Sequence, residues 1–278
     1  MCYFILVTTA ILLITVNERG KIMFIEERHQ EILKILAEKG RISNSEIQET
    51  FQISYDSAKR DLRLLEEQGL LKRTHGGAIP ARQIGGNVIK NLSPDERVVE
   101  VKENYLAIAK EAVKTIKEND VVYITNASVG YLMAQNIGDV NCTVVTNSIS
   151  IAEELRKKEN ITVLLAGGEM QANGCFYDSF ALSLINRLRF DKCFVTSACV
   201  SAKFGLSIQK SRSVELTNAI INNSKTVYGL YPVEKIGFDS VISICPANKL
   251  NYIITESDSS EDDLMQFEEL GVKIKIAE

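Results

Sequence analysis

The stretch Ile53-Ser54-Tyr55-Asp56-Ser57-Ala58-Lys59-Arg60-Asp61-Leu62-Arg63-Leu64-Leu65, followed by Gly69-Leu70-Leu71-Lys72-Arg73-Thr74-His75-Gly76-Gly77-Ala78, decides how the amino-terminal part folds. Ser54 stands where a side-chain oxygen can cap a helix, and Ala58, Leu62 and Leu65 recur on one face of it. Tyr55, Asp56, Ser57, Lys59, Arg60 and Arg63 are left for the outer face. Gly69 ends the helix, Leu70 and Leu71 are expected to return to the core, and Lys72 to Ala78 reads as a strand entering a glycine turn that a second strand leaves. That pattern is a wing.

Upstream, Ile25, Ile32, Leu33, Ile35 and Leu36 recur at helical spacing from Glu26 to Lys39, and Gly40 stops the run. Ser43 is placed as an N-cap with Glu46 in capping-box position, and Ile47 and Phe51 form the inner face of a short second helix. Gln52 and Ile53 make the turn. Residues 23–80 are therefore predicted to be a winged helix-turn-helix. Three helices with a few cations also describe small helical domains and protein-contact modules, and the wing is the feature that separates this chain from them. A helix enters the major groove when its exposed residues are polar and its flanks carry cations for phosphate. The candidate DNA-contacting residues are Tyr55, Asp56, Ser57, Lys59, Arg60, Arg63, Lys72, Arg73 and His75.

Bulk charge points the other way, since the 278-residue chain carries a formal net charge of -4. Locally the sign reverses: Lys59, Arg60, Arg63, Lys72, Arg73 and Arg82 meet only Asp61, Glu66 and Glu67 between Lys59 and Arg82. Phosphate neutralisation by such a cluster gives binding that falls steeply with salt.

The same residues resemble the DeoR family of bacterial transcription regulators. The likeness runs through Glu27-Arg28-His29-Gln30-Glu31-Ile32-Leu33, Ile53-Ser54 to Lys59-Arg60-Asp61-Leu62, and Gly69-Leu70-Leu71 to His75-Gly76-Gly77-Ala78. The family usually has Thr-Ile-Arg-Arg-Asp-Leu in the third helix where this chain has Ser57-Ala58-Lys59-Arg60-Asp61-Leu62. The swap keeps a polar, cationic face and allows different base preferences. The resemblance covers nearly the whole chain from Met23 on and implies a carboxyl-terminal sugar-phosphate sensor, related to sugar-phosphate isomerases. It also implies a homo-oligomeric, cytoplasmic repressor of carbohydrate genes whose partners are an operator duplex and a small phosphorylated sugar.

Residues 1–22 include an apolar run from Cys2 to Val16, shorter than the roughly 20 residues a bilayer-spanning helix needs. A membrane anchor, a signal remnant and an upstream extension compete for it; the resemblance favours the last, because Met23 sits where family members begin. No stable membrane association is expected. Cys2, Cys142, Cys175, Cys193, Cys199 and Cys245 show no metal-ligand spacing and read as free thiols of a reducing compartment, with no metal and no cofactor.

Residues 81–96, with Gly85-Gly86 and Ser93-Pro94-Asp95, read as a linker. From 97 to 278, strand-like runs at 121–125, 143–146, 162–166, 192–196, 226–230, 252–255 and 273–276 alternate with helical runs at 105–117, 129–136, 149–157, 180–188, 214–223 and 262–270. This predicts an α/β domain with a mainly parallel sheet, serving as effector sensor and oligomerisation domain. Ligands of such sheets bind where strand carboxyl ends open into helix amino termini. The candidate effector residues are Thr125, Asn126, Ser128, Asn147, Gly167, Gly168 and Lys235. Each loop alone is ordinary turn chemistry.

Against the family pattern, Thr146, Asn147, Gly167, Gly168 and Lys235 match. The usual Asp-Ser-Gly-Thr-Thr is Thr125-Asn126-Ala127-Ser128-Val129, a later helical lysine is Thr217, Asp-Ser-Ser-Lys is Pro232-Val233-Glu234-Lys235, and glycines after Phe194 are Thr196 and Cys199. Each lost phosphate partner removes on the order of 1–3 kcal/mol. The resemblance therefore implies an altered effector, or a sensor that binds none. An isomerase-like enzyme is the alternative from another class. With no histidine beyond His75 and no acid and base paired at strand ends in the sequence, a non-enzymatic regulator is expected.

Overall fold

The computed structural model describes residues 15–16, 22–23, 25–81 and 103–278. The expected linker and most of the apolar extension lie outside these residues, as does Arg82. The chain forms two compact units, one ending at Ala81 and the other occupying the remainder.

In the first unit, β1 (Thr15–Val16) pairs antiparallel with β2 (Ile22–Met23). Helix α1 (Ile25–Lys39) stops where Gly40 takes a left-handed φ of 75°. After β3 (Ile42–Ser43), α2 (Asn44–Phe51) starts on the Ser43 hydroxyl, which accepts from the Glu46 N–H. The other half of the expected capping box is not made: the Glu46 carboxylate pairs with Lys39 instead. Gln52 adopts φ 52° to turn the chain, and α3 (Tyr55–Glu67) begins with the Ser54 hydroxyl accepting from the Ser57 N–H. Ile32, Leu36, Ile47, Ala58, Leu62, Leu65 and Leu71 pack as one core. Full burial of each large aliphatic side chain contributes about 1.5–3 kcal/mol, which is what holds so small a unit together.

The wing is β4 (Leu71–Arg73) and β5 (Gly77–Pro80), with β5 also pairing β3 on its other side. A side chain on Gly77 would run into the Ile42 carbonyl, so the close β3–β5 approach requires glycine there. The Asn44 N–H donates to the Gly76 carbonyl at 2.8 Å and ties the wing turn to α2. One expectation fails here. Leu71 is buried, but Leu70 is 45% exposed, because the Gly69 turn (φ 71°) directs only every second residue of the outgoing strand inward.

The second unit is built on a seven-stranded sheet, and every neighbouring pair in it is parallel. Its strands are β6 (Val121–Ile124), β7 (Cys142–Thr146), β8 (Ile161–Leu165), β9 (Phe190–Val195), β12 (Ser224–Leu230), β14 (Tyr252–Glu256) and β15 (Lys273–Ala277). Alternate residues serve alternate faces. Tyr123, Val145, Cys193 and Val195 enter one core, while Val122, Ile124, Val144 and Phe194 enter the other. Among the described residues, six helices cover the sheet, at Glu103–Val113, Ser128–Asn136, Ile149–Leu155, Ser179–Asn186, Val214–Asn222 and Glu261–Glu269. Sequence alternation missed a separate antiparallel sheet of β10 (Cys199–Ser201), β11 (Gly205–Ile208) and β13 (Ile242–Cys245). Cys142, Cys175, Cys193, Cys199 and Cys245 are buried and form no disulfide among the described residues, and burial pushes the Cys193 thiol up to about 12. Such thiols are unreactive.

The sheet order β15-β14-β12-β9-β6-β7-β8 reverses between β9 and β6. From β6 the chain progresses outward to β7 and β8; from β9 it progresses the opposite way. A crevice at the carboxyl ends of these two strands is where a doubly wound sheet holds a ligand.

Candidate functional site

Two surfaces gather the residues singled out by sequence, one on each unit. On the first, α3 turns Ala58, Leu62 and Leu65 inward and leaves Tyr55, Asp56, Lys59, Arg60 and Arg63 exposed, with Ser57 partly so. The Lys59 ammonium lies 4.9 Å from the Tyr55 ring centroid, a contact that steadies both on the outer face. Arg63 approaches Glu67 at 3.8 Å, one turn further along.

Asp61, which enters the local charge balance against these cations, does not share their face. It is 3% exposed and points into the head. Arg28 donates to it twice, from Nε at 2.7 Å and from Nη2 at 3.1 Å, and His29 Nε2 lies 3.2 Å from Oδ1. The fork clamps α3 against α1, and it removes one carboxylate from the exposed surface. The periodicity held the signal: Asp61 follows Ala58 by three residues and precedes Leu65 by four, which puts it in the buried stripe.

On the wing, Lys72 is half-buried and Arg73 and His75 are exposed. Glu66 accepts from both the Arg73 backbone N–H (2.8 Å) and Nε (2.7 Å), so α3 and the wing are joined through this residue. Glu66 and Glu67 are thereby engaged by Arg73 and Arg63, and the outer face carries an excess of positive charge.

On the second unit, the loop of residues 125–128 leaves β6 at the switch point between β6 and β9. The Thr125 N–H donates to the Phe194 carbonyl at 3.1 Å, which fixes that loop against β9. The helix beginning at Ser128 has no side-chain cap, leaving its first N–H groups facing the loop. Asn126 Nδ2 donates to the Tyr177 hydroxyl at 2.5 Å. Lys235, after β12, reaches Thr196 Oγ1, after β9, at 3.5 Å. The fold thus brings Thr125, Asn126, Ser128, Thr196 and Lys235 to the switch point.

The remaining candidates sit differently. Asn147 is 1% exposed and its amide is used within the fold, Oδ1 accepting from Tyr123 at 2.8 Å and Nδ2 donating to the Phe176 carbonyl at 2.8 Å. A side chain on Gly168 would strike the Asp178 carboxylate, which caps the helix Ser179–Asn186 and accepts from the Glu169 N–H. Gly168 is thus explained by packing, whereas Gly167 opens onto empty space.

Sequence reasoning found no acid and base paired at the strand ends and did not foresee an acidic pair. The fold places two carboxylates there. Asn104 Nδ2 donates to Glu256 at 3.0 Å and lies 3.5 Å from Glu234, while the Tyr105 hydroxyl donates to Glu234 at 3.1 Å. Glu256 also accepts from the Val233 N–H at 3.1 Å, yet its buried Oε2 finds no partner among the described residues. Burial holds this carboxyl above its ordinary value, and the neighbouring Glu234 charge adds to the shift. Glu234 and Glu256 are 22 residues apart in the chain and on different elements, so no local spacing announces the pair.

With both surfaces defined, the comparisons agree with the fold. A model of the DeoR C terminal sensor domain matches residues 100–257, and one of the DeoR-like helix-turn-helix domain matches residues 28–83. The chain belongs to the DeoR family. It is 31% identical to a lactose phosphotransferase system repressor of Staphylococcus epidermidis over 84% of this chain and 93% of the relative. It is 28% identical to the HTH-type transcriptional regulator GolR of Listeria innocua over 92% of this chain and 100% of that protein. The HTH-type transcriptional repressor GlcR of Bacillus subtilis is 29% identical, with 92% and 98% covered. Among solved structures, the full-length sorbitol operon regulator SorC of Klebsiella pneumoniae aligns with a TM-score of 0.38 at 10% identity, covering 87% of this chain and 98% of that one. Among the described residues, no helix is long and apolar enough to cross a membrane and no cluster of metal-ligating side chains occurs.

Proposed function

We propose that this chain is a cytoplasmic, sequence-specific DNA-binding repressor of carbohydrate genes, and not an enzyme. One observation carries the reading: α3 satisfies its core through Ala58, Asp61, Leu62 and Leu65 while presenting Lys59, Arg60 and Arg63 to solvent beside a wing. Residues 23–80 form the DNA head, with Tyr55, Asp56, Ser57, Lys59 and Arg60 addressing base edges. Arg63, Lys72, Arg73 and His75 address phosphates. Residues 97–278 form the sensor and the oligomer contact. Around the end of β8, Leu165, Met170 and Phe180 are exposed, and Phe180 is 75% so. Those apolar side chains supply a surface for a second copy, and a dimer sets half-sites about 34–36 Å apart or multiples of that.

The effector loops comprise Thr125, Asn126, Ser128, Gly167 and Lys235, with Asn147 and Gly168 shaping them from behind. The uncapped helix at Ser128 and the Lys235 ammonium favour an anionic group, and Glu234 and Glu256 oppose a dianionic one. The effector is therefore an altered carbohydrate ligand that binds in place of a plain sugar phosphate. It regulates by preferring one arrangement of the oligomer over the other.

Gel shift on the gene's own upstream region tests the DNA half. Arg60→Ala is expected to weaken binding by about 1–3 kcal/mol and relax base preference. Equal binding by wild type and Arg60→Ala would remove α3 from the interface. Calorimetric titration with matched phosphorylated and unphosphorylated sugars tests the sensor half; tight binding of a common sugar phosphate would defeat the altered-effector reading.

A further inference from the structure

A broad concavity on the second unit lies at the opposite end of its sheet from the effector loops. It has a volume of about 760 Å³ and follows the amino ends of β6, β9, β12, β14 and β15. Six lysines line it: Lys114, Lys117, Lys192, Lys225, Lys273 and Lys275. Three carboxylates accompany them, Glu111, Asp120 and Asp191, so the wall carries a surplus of three positive charges in a chain whose net charge is -4.

The distribution of partners shows which lysines remain available. Lys192 pairs with Asp120, both 12% exposed, and is a structural ion pair. Lys225 pairs with Asp191 at 2.8 Å and Lys114 with Glu111 at 2.8 Å. Lys275 shares the Glu111 carboxylate at 3.9 Å. The Lys117 backbone N–H donates to Asp120, but among the described residues the ammonium groups of Lys117 and Lys273 pair with no carboxylate, and both side chains are exposed.

An aromatic support holds two of these cations in place. The Lys273 and Lys275 ammonium groups stand 5.7 and 5.9 Å from the Tyr252 ring centroid. Tyr252 is stacked on Tyr228 with centroids 4.9 Å apart and an interplanar angle of 11°. Stacking fixes the ring, and the ring's negative face draws the ammonium groups over the strand ends. Less side-chain freedom is then lost when an anion arrives.

The geometry points to a second ligand site here, one that takes a small compound bearing several phosphate groups. The concavity falls within the range of small-molecule pockets. Its charge surplus matches a ligand of about three negative charges better than a single phosphate, because electrostatic gain grows with the product of charges. A long polyanion lies on a flat or grooved surface, whereas this wall is concave. The site is independent of whether the effector loops take any ligand.

The test is isothermal titration of the full chain with inorganic tripolyphosphate, using inorganic phosphate and a non-operator DNA duplex as comparators. Tripolyphosphate is expected to bind at least about tenfold tighter than phosphate, and the binding to weaken with salt. The double variant Lys117→Gln/Lys273→Gln alters only exposed side chains and should weaken it at least about tenfold, while Lys235→Gln leaves it unchanged. Absence of binding, equal binding by the double variant, or loss of binding in Lys235→Gln would overturn the proposal. So would binding of the duplex lost in the double variant when tripolyphosphate fails to compete, since the wall would then serve a nucleic-acid backbone. Loss of sugar binding with tripolyphosphate binding intact would count only against the effector-loop reading.

Discussion

Asp61 shows how one side chain can shape a surface without being on it. Two hydrogen bonds from Arg28 and the approach of His29 fill its oxygens inside the head. Removing the carboxylate takes the ion-pair partner from a guanidinium that is 3% exposed. A buried pair broken on one side costs about 3–5 kcal/mol, so Asp61→Ala should lower the stability of the head by that order and abolish operator binding secondarily. Urea unfolding with hydrogen exchange read at the α3 amides checks it; a loss below about 1 kcal/mol would mean the pair contributes as an exposed one does. Glu256 makes the opposite case. Because burial raises its folded-state pKa, the folded chain holds that proton more tightly than the unfolded chain does. Its contribution to stability is fully present in acid, below the unfolded value, and is lost as pH rises through the raised folded value. Glu256→Gln removes the charge that is costly to bury, so the variant should melt above the wild type at neutral pH, the gap closing in acid. A pH series of melting temperatures showing a constant gap would contradict that account.

Elements were legible where local chemistry alone sets them. Ser43 and Ser54 accept helix N–H groups as their spacing foretold, and Gly40 and Gly69 take the left-handed turns that end α1 and α3. The seven parallel strands followed from alternation of apolar runs with helical ones. What was not legible depends on contacts between distant segments. Glu46 has a competing cation in Lys39, Leu70 falls on the outward side of a turn, and β10, β11 and β13 are short strands drawn from separated stretches. The candidate site divides the same way. The loops at Thr125 and Lys235 could be placed from strand ends, but Asn147 is consumed by Tyr123 and Phe176, and Glu234 and Glu256 meet only through the fold. The wing carries a prediction at this scale. Gly77→Ala sets a methyl against the Ile42 carbonyl and separates β3 from β5. Overpacking of that kind costs about 1–3 kcal/mol. The variant should lose hydrogen-exchange protection in the wing before the rest of the head, and a uniform loss would show that the wing does not unfold as its own unit.

At the scale of the whole molecule, the question is how an acidic chain can bind a polyanion. The net charge of -4 acts weakly at distance, since surface charges farther apart than about 10 Å are largely screened at moderate salt. Binding is decided instead by the few cations that touch phosphate. Asp61 is withdrawn into the head and Glu66 is engaged by Arg73, which leaves the face around Lys59, Arg60, Arg63 and Lys72 positive. Each phosphate contact releases counterions and adds about 0.9 to the slope of log affinity against log salt. Lys72→Ala should therefore lower the slope by about 1 per head while leaving the ranking of operator variants unchanged, because phosphate carries no sequence information. Lys59→Ala should act differently, changing that ranking if its ammonium reaches a base edge. Competition binding at several salt concentrations, with operator and scrambled duplexes, separates the two. An unchanged slope in Lys72→Ala would remove the wing from the phosphate contacts, and the remaining cations of α3 would then have to account for the whole electrostatic attraction.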